Sequence, residues 1–130
     1  MRNVYIIDNY QIVHNELHFS LNENESRIQI QPAGQLLTDS DNLAFIYLVE
    51  EGEGYSYLQL PQQLWPQLVE LLKSNRNPYL LIDQERIELI NFTDELQMLV
   101  FNIEGNDNYG NEFVEAVETT FAEILQSEEF

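Results

Sequence analysis

At 130 residues with 44% hydrophobic side chains, the chain holds apolar material for one core and too little for two, so a single domain spanning residues 1–130 is expected. Its 23 acids against 5 bases give a net charge of −18, which repels phosphate-rich and anionic-lipid partners; neither direct nucleic-acid binding nor a membrane role is expected. The lack of cysteine excludes disulfides, thiolate metal sites and a cysteine nucleophile, and no apolar run is long enough for a signal peptide or a membrane span, so the expected compartment is the cytoplasm.

In chain order, the first third reads as short β-prone runs at residues 4–7, 10–13, 17–21 and 27–30, separated by Asn, Asp and Glu. Asn22, Glu23, Asn24 and Glu25 form a hairpin loop in this reading, pairing residues 17–21 with 27–31 until Pro32 and Gly34 stop the strand. Residues 43–50 give the strongest strand signal. Leu43, Phe45, Tyr47 and Val49 alternate with Ala44, Ile46 and Leu48, so both faces are apolar and the strand belongs in the middle of a sheet. Gly52 and Gly54 then supply turn residues, and residues 55–60 return as the hairpin partner. A second hairpin is predicted from residues 79–82 and 86–90.

Three helices are predicted. The first lies within residues 61–73, with Leu64, Trp65, Leu68, Val69, Leu71 and Leu72 on one side; Pro66 fits only its first turn, so regular helix starts late. The second covers residues 94–103, with Thr93 as N-cap and Gly105 as its stop. The third, residues 111–126, gathers Phe113, Val114, Val117, Phe121, Ile124 and Leu125 into one arc and leaves Glu112, Glu115, Glu118 and Glu123 on the other. The elements together predict an α+β fold: a mostly antiparallel sheet of about five to seven strands and about three helices, with the C-terminal amphipathic helix packed on the sheet.

Two stretches carry a family resemblance. Residues 34–45, GQLLTDSDNLAF, continuing to Tyr47, and residues 102–114, NIEGNDNYGNEFV, continuing through VETTF at 117–121, resemble the uncharacterised protein family 0738 of the UPF series. The helix around Trp65 adds to the likeness. The resemblance implies a small cytoplasmic protein of Bacillus- and Staphylococcus-type bacteria. It implies no activity, and it carries over no catalytic or binding residue.

The residues themselves offer few chemical constellations. His14 and His18 are four apart, a helical metal spacing, yet in an extended strand they would stand roughly 13 Å apart, so no metal site is expected. Asp39 and Asp41, followed by Asn42, form an Asp-x-Asp pair that reads first as turn chemistry and second as a cation or ligand site. Asn106, Asp107, Asn108 and Tyr109 lie in a polar loop between two helices; Tyr109 takes what would be a ligand position in a calcium loop, and capping by Gly105 with Asn108 or Asn111 is the first reading. No catalytic residue and no cofactor is predicted, since no triad setting, phosphate loop or dinucleotide fingerprint occurs. The aromatic set Tyr47, Tyr55, Tyr57 and Trp65 reads first as core packing and second as the lining of a ligand groove; Tyr55 and Tyr57 share a strand face with Gln59, and that face is the best candidate for an aromatic recognition patch.

Function follows from charge. Residues 87–130 hold 11 acids and neither Lys nor Arg. The leading expectation is a non-enzymatic interaction protein meeting a basic protein partner through this acidic C-terminal region, with Glu112, Glu115, Glu118 and Glu123 as its surface. The alternative is a small-ligand or cation binder, or an enzyme, using the Asp39–Asn42 and Asn106–Tyr109 loops together. Mimicry of nucleic acid by the row of glutamates comes third.

Overall fold

The computed structural model describes residues 3–21, 29–82 and 84–127. Eight strands, β1 (Val4–Ile6), β2 (Asn9–Val13), β3 (Glu16–Ser20), β4 (Gln31–Asp39), β5 (Ala44–Glu51), β6 (Gly54–Pro61), β7 (Tyr79–Ile82) and β8 (Glu85–Glu88), form two sheets. Their orders are β1-β6-β5-β4 and β2-β3-β7-β8. Four α-helices complete the described residues: α1 (Trp65–Ser74), α2 (Phe92–Ile103), α3 (Asn111–Thr120) and α4 (Ala122–Ser127).

The α+β class is as expected, but the single, mostly antiparallel sheet of five to seven strands is replaced by two mixed sheets. In each sheet one pair is parallel: β1 with β6, from Val4↔Tyr57 to Ile6↔Gln59, and β3 with β7, from His18↔Tyr79 to Ser20↔Leu81. Parallel partners need a long crossover, so neighbouring runs in the sequence carry no sign of them. The antiparallel partner of β3 is β2, through His14 and Asn15, both at positive φ as a two-residue hairpin turn requires. The hairpin loop expected at Asn22 to Glu25 lies outside the described residues, as do the first two residues of the strand expected after it; Gln29 and Ile30 are not in a strand, and Gln31 opens β4, which pairs with β5 and not with β3.

Pro32 and Gly34 do not stop a strand. They lie inside β4, where the register against β5 shifts between Pro32 and Leu36 and Gly34 takes φ +74°. Because β4 is an edge strand, the missing Pro32 N–H and the bulge cost no central ladder bonds. The positive φ favours glycine there, and a Cβ at Gly34 would also come within 2.9 Å of Asn91 Nδ2, so that side chain would have to move aside. By contrast, β5 is central and two-sided as its pattern predicts, paired along its length with β4 and β6.

In α1, a short 3-10 turn at Gln62–Leu64 precedes the regular helix, and Pro66 sits in the first turn. The predicted cap of α2 is wrong by two residues. The helix begins at Phe92 behind Asn91 (φ 62°), and Thr93 lies within its first turn. The Thr93 hydroxyl donates instead to the Arg76 carbonyl, and its N–H donates to Asn77 Oδ1 at 3.0 Å, so an Asn from another segment satisfies an orphan helix donor. The long C-terminal helix is broken at Phe121 (φ −99°, ψ 20°) into α3 and α4. Phe121 N–H still reaches Val117 O at 2.8 Å and Leu125 N–H reaches Phe121 O at 3.0 Å, so the predicted apolar arc stays on one side and is buried throughout.

That arc docks on sheet β1-β6-β5-β4 through an aromatic cluster. Phe45 on β5 stands 5.1 Å from Trp65, 5.9 Å from Phe113 and 6.1 Å from Phe121, centroid to centroid. Trp65 Nε1 donates to Leu60 O at 3.3 Å, so the indole is buried with its N–H satisfied. Phe92 of α2 joins the two sheets, stacking on Tyr47 of β5 at 5.5 Å and meeting Phe19 of β3 at 6.3 Å.

One end of the first sheet is tied by Glu51, whose carboxylate accepts from Tyr5 OH (2.7 Å), Ser56 Oγ (2.6 Å) and Asn3 Nδ2 (3.0 Å). Partial burial works to raise the Glu51 pKa, but the three donors outweigh it and hold the carboxyl below its ordinary value. Glu51→Ala is expected to cost about 1–3 kcal/mol, chiefly because the buried Ser56 hydroxyl loses its acceptor. A carboxyl depressed in the folded state stabilises above its unfolded pKa and loses that contribution as pH falls through the folded value. Urea unfolding from pH 7 down to about pH 3 should therefore show a shallower acid decline in the variant than in the wild type.

Candidate functional site

The two loops singled out by sequence hold themselves by local bonds. Asp39 closes β4, and its Oδ2 accepts from Asn42 Nδ2 at 2.9 Å and from Gln59 Nε2 at 3.3 Å. Ser40–Asn42 is a 3-10 turn that exposes Asp41, closed by Leu43 in the left-handed region with its N–H on Ser40 O. In the second loop Asn106 Oδ1 accepts from Asn108 N–H at 3.1 Å, and Asp107–Tyr109 forms another 3-10 turn. The residue ahead of α3 is Gly110, not Asn108 or Asn111, and it carries no side-chain cap. Tyr109 turns inward, its ring 6.4 Å from Phe113. No hydrogen bond, ion pair or ring contact joins the two loops among the described residues.

Asp39 and Asn42 instead border a hollow of about 540 Å³ on the outer side of sheet β1-β6-β5-β4, with Val4, Leu37, Ile46 and Tyr57 beside them. The aromatic set divides here. Tyr47 and Trp65 are core, while Tyr55 is 49% exposed and Tyr57 half-buried on the outer face with Gln59, as their alternation predicts.

The row of glutamates is only half available. Glu112 and Glu115 are exposed on α3. Glu118 Oε2 accepts the Gly105 N–H at 2.8 Å, fastening the turn after α2, and Glu123 pairs with Lys73 of α1 at 3.4 Å. These two carboxylates position helices as well as carrying charge. Neither use could be read from the helical wheel, because both partners lie on other elements.

His14 occupies the β2–β3 turn, and His18 is buried on β3, edge-on to Tyr79 at 5.6 Å and 3.2 Å from Glu16 Oε1. Arg86 also bonds Glu16 and lies over the Tyr79 ring at 4.5 Å. Among the described residues no three His, Asp or Glu side chains are placed to share a metal ion. No helix among them is long and apolar enough to cross a membrane.

Sequence reasoning missed an open cleft of about 910 Å³ between the β2–β3 hairpin, the C-terminal end of α1 and the strands β7 and β8. Ile12, Glu16, Glu70, Arg76, Tyr79 and Glu88 are among its lining residues. They come from five separate elements and the loop after α1, so no local motif announces them.

Comparison with known proteins gives one consistent answer. Residues 5–121 match the family described as a family of unknown function, UPF0738. A UPF0738 protein of Lysinibacillus sphaericus is 54% identical over 125 residues, covering 96% of this chain and 98% of that one. A Staphylococcus epidermidis member is 46% identical over 97 residues, covering 75% and 80% of the two chains, and a Staphylococcus aureus member is 44% identical over 92 residues, covering 71% and 76%. No solved structure matches the chain.

Proposed function

The chain belongs to the UPF0738 family, whose function is unknown, and we propose that it is a non-enzymatic interaction protein that meets a basic protein partner. The acid-bearing helical surface is the contact. One observation carries this reading: from residue 87 to residue 130 there are 11 acids and neither Lys nor Arg, and Asp94, Glu104, Asp107, Glu112 and Glu115 are exposed on or between α2 and α3. Of the described bases, Lys73 is the one that pairs with an acid of this region, Glu123. Such a one-signed surface raises the encounter rate with a positive partner and is screened by salt, with a Debye length of about 10 Å at 0.1 M and about 3 Å at 1 M.

The test is capture from lysate with the tagged protein at low and high ionic strength, beside a variant carrying Asp94→Asn, Glu112→Gln and Glu115→Gln. These three side chains are solvent-exposed, so the variant should keep stability within about 0.5 kcal/mol. The expected result is a reproducible basic partner, bound at low salt, released at high salt and retained at least about tenfold less by the variant. Equal retention by the variant, or no reproducible partner, ends the proposal.

A further inference from the structure

Sheet β1-β6-β5-β4 buries one face against the helices; the other face is partly apolar and open. The register sets its side chains in rows: Val4, Tyr57 and Leu48 in one, Ile6, Gln59, Ile46 and Leu37 in the next. Val4 and Ile6 are 52% and 55% exposed, and Tyr55 is exposed at the adjoining end. A β-branched pair more than half in water on an edge strand is unusual for a face with no function, because contiguous apolar surface of this kind tends to mark contact sites. The 540 Å³ hollow lies on this face, with Val4, Ile46 and Tyr57 beside it and Asp39 at one end.

Among the described residues the charges around the face are of one sign. Residues 29–72 contain no Lys, Arg or His, while Asp39, Glu50 and Glu53 stand at its corners and turns. A second copy of this chain is therefore a poor occupant, since it would bring carboxylates against carboxylates in a molecule of net charge −18. The complementary occupant carries apolar side chains for Val4 and Ile6, which the chain leaves in water, and cations for the acids around them.

We propose that the outer face of this sheet is a docking surface for an amphipathic segment of another protein that alternates apolar residues with Lys or Arg. The proposal rests on the basic-partner reading and adds to it a second, apolar contact that salt alone does not release. An extended segment suits the face, since its side chains on one side repeat every second residue, as the rows of the sheet do.

The probe is a short synthetic peptide alternating lysine with valine, compared with a lysine–serine peptide of the same length and charge. Amide shifts of the ¹⁵N-labelled full chain report where each binds. The lysine–valine peptide is expected to shift Val4, Ile6, Ile46 and Tyr57 and to bind about tenfold more tightly than the lysine–serine peptide. The double variant Val4→Thr with Ile6→Thr keeps β-branched residues at two exposed positions and should weaken the lysine–valine peptide about tenfold. Should that variant misfold by circular dichroism, the wild-type shift map and the peptide comparison still decide. Equal binding of the two peptides, or shifts confined to Glu112, Glu115 and their neighbours, overturns the docking face and leaves the acidic-surface reading standing. Absence of shifts with either peptide at low salt removes both. A concentration-dependent dimer broken by the double variant assigns the face to a second copy and overturns the proposal as well.

Discussion

Phe45→Ala is expected to lower the unfolding free energy by about 3–5 kcal/mol. Phe45 is completely buried and is the one ring on the sheet that touches Trp65, Phe113 and Phe121 together. Its removal takes away the apolar burial of a whole ring and leaves a cavity walled by rings on α1 and α3 and by Phe121 between α3 and α4, which their backbones prevent from closing in. Domains of this size have about 5–15 kcal/mol in total, so the variant should lose at least about a fifth of it. Trp65 is the only tryptophan and lies against the lost ring, so its emission reports both the local defect and global unfolding in urea. A red-shifted native emission with a much lower midpoint is the expected outcome. A loss below about 1 kcal/mol would mean that α3 and α4 collapse onto the gap, and that the cluster is less rigid than its geometry implies.

What the sequence announced and what it hid divide along physical lines. Strand β5 was legible because both of its faces are apolar, and the arc from Phe113 to Leu125 was legible because helical periodicity survives the break at Phe121. The hairpin joining β5 to β6 was signalled by Gly52 and Gly54. The parallel pairs were hidden, since Tyr5 meets Leu58 and Phe19 meets Leu80 across long stretches of chain. The path of β4 through Pro32 and Gly34 was hidden because an edge strand tolerates what a central strand does not. Thr93 failed as a cap because a distant carbonyl, that of Arg76, claimed its hydroxyl. The same logic governs the candidate surfaces. The exposure of Tyr55 followed from alternation, whereas the engagement of Asp39 by Gln59 and of Glu118 by Gly105 depended on which elements meet.

Tyr47→Phe is expected to cost about 1–3 kcal/mol at neutral pH and to flatten the loss of stability in alkali. The ring is buried and stacked on Phe92, and the hydroxyl donates to Ile90 O at 2.7 Å, joining β5 to the residue two before the start of α2. Phenylalanine keeps the stack but leaves the Ile90 carbonyl without this donor. Burial drives the Tyr47 pKa well above the ordinary tyrosine value; a hydrogen bond from the Gly34 backbone opposes the shift, and the charges of Glu88 and Glu95 reinforce it. In the folded chain Tyr47 thus keeps its proton at pH values where the unfolded chain releases it. Its contribution is complete below the unfolded value of about 10 and is lost as pH rises above that point, by at most about 1.4 kcal/mol per pH unit. Tyrosines exposed in both states bind equal numbers of protons and add no slope. Urea midpoints measured from pH 7 to about pH 11.5 should therefore fall less steeply above pH 10 in Tyr47→Phe than in the wild type. Parallel curves would show that the phenol ionises as readily inside the fold as outside it, and that the Ile90 contact is open to water.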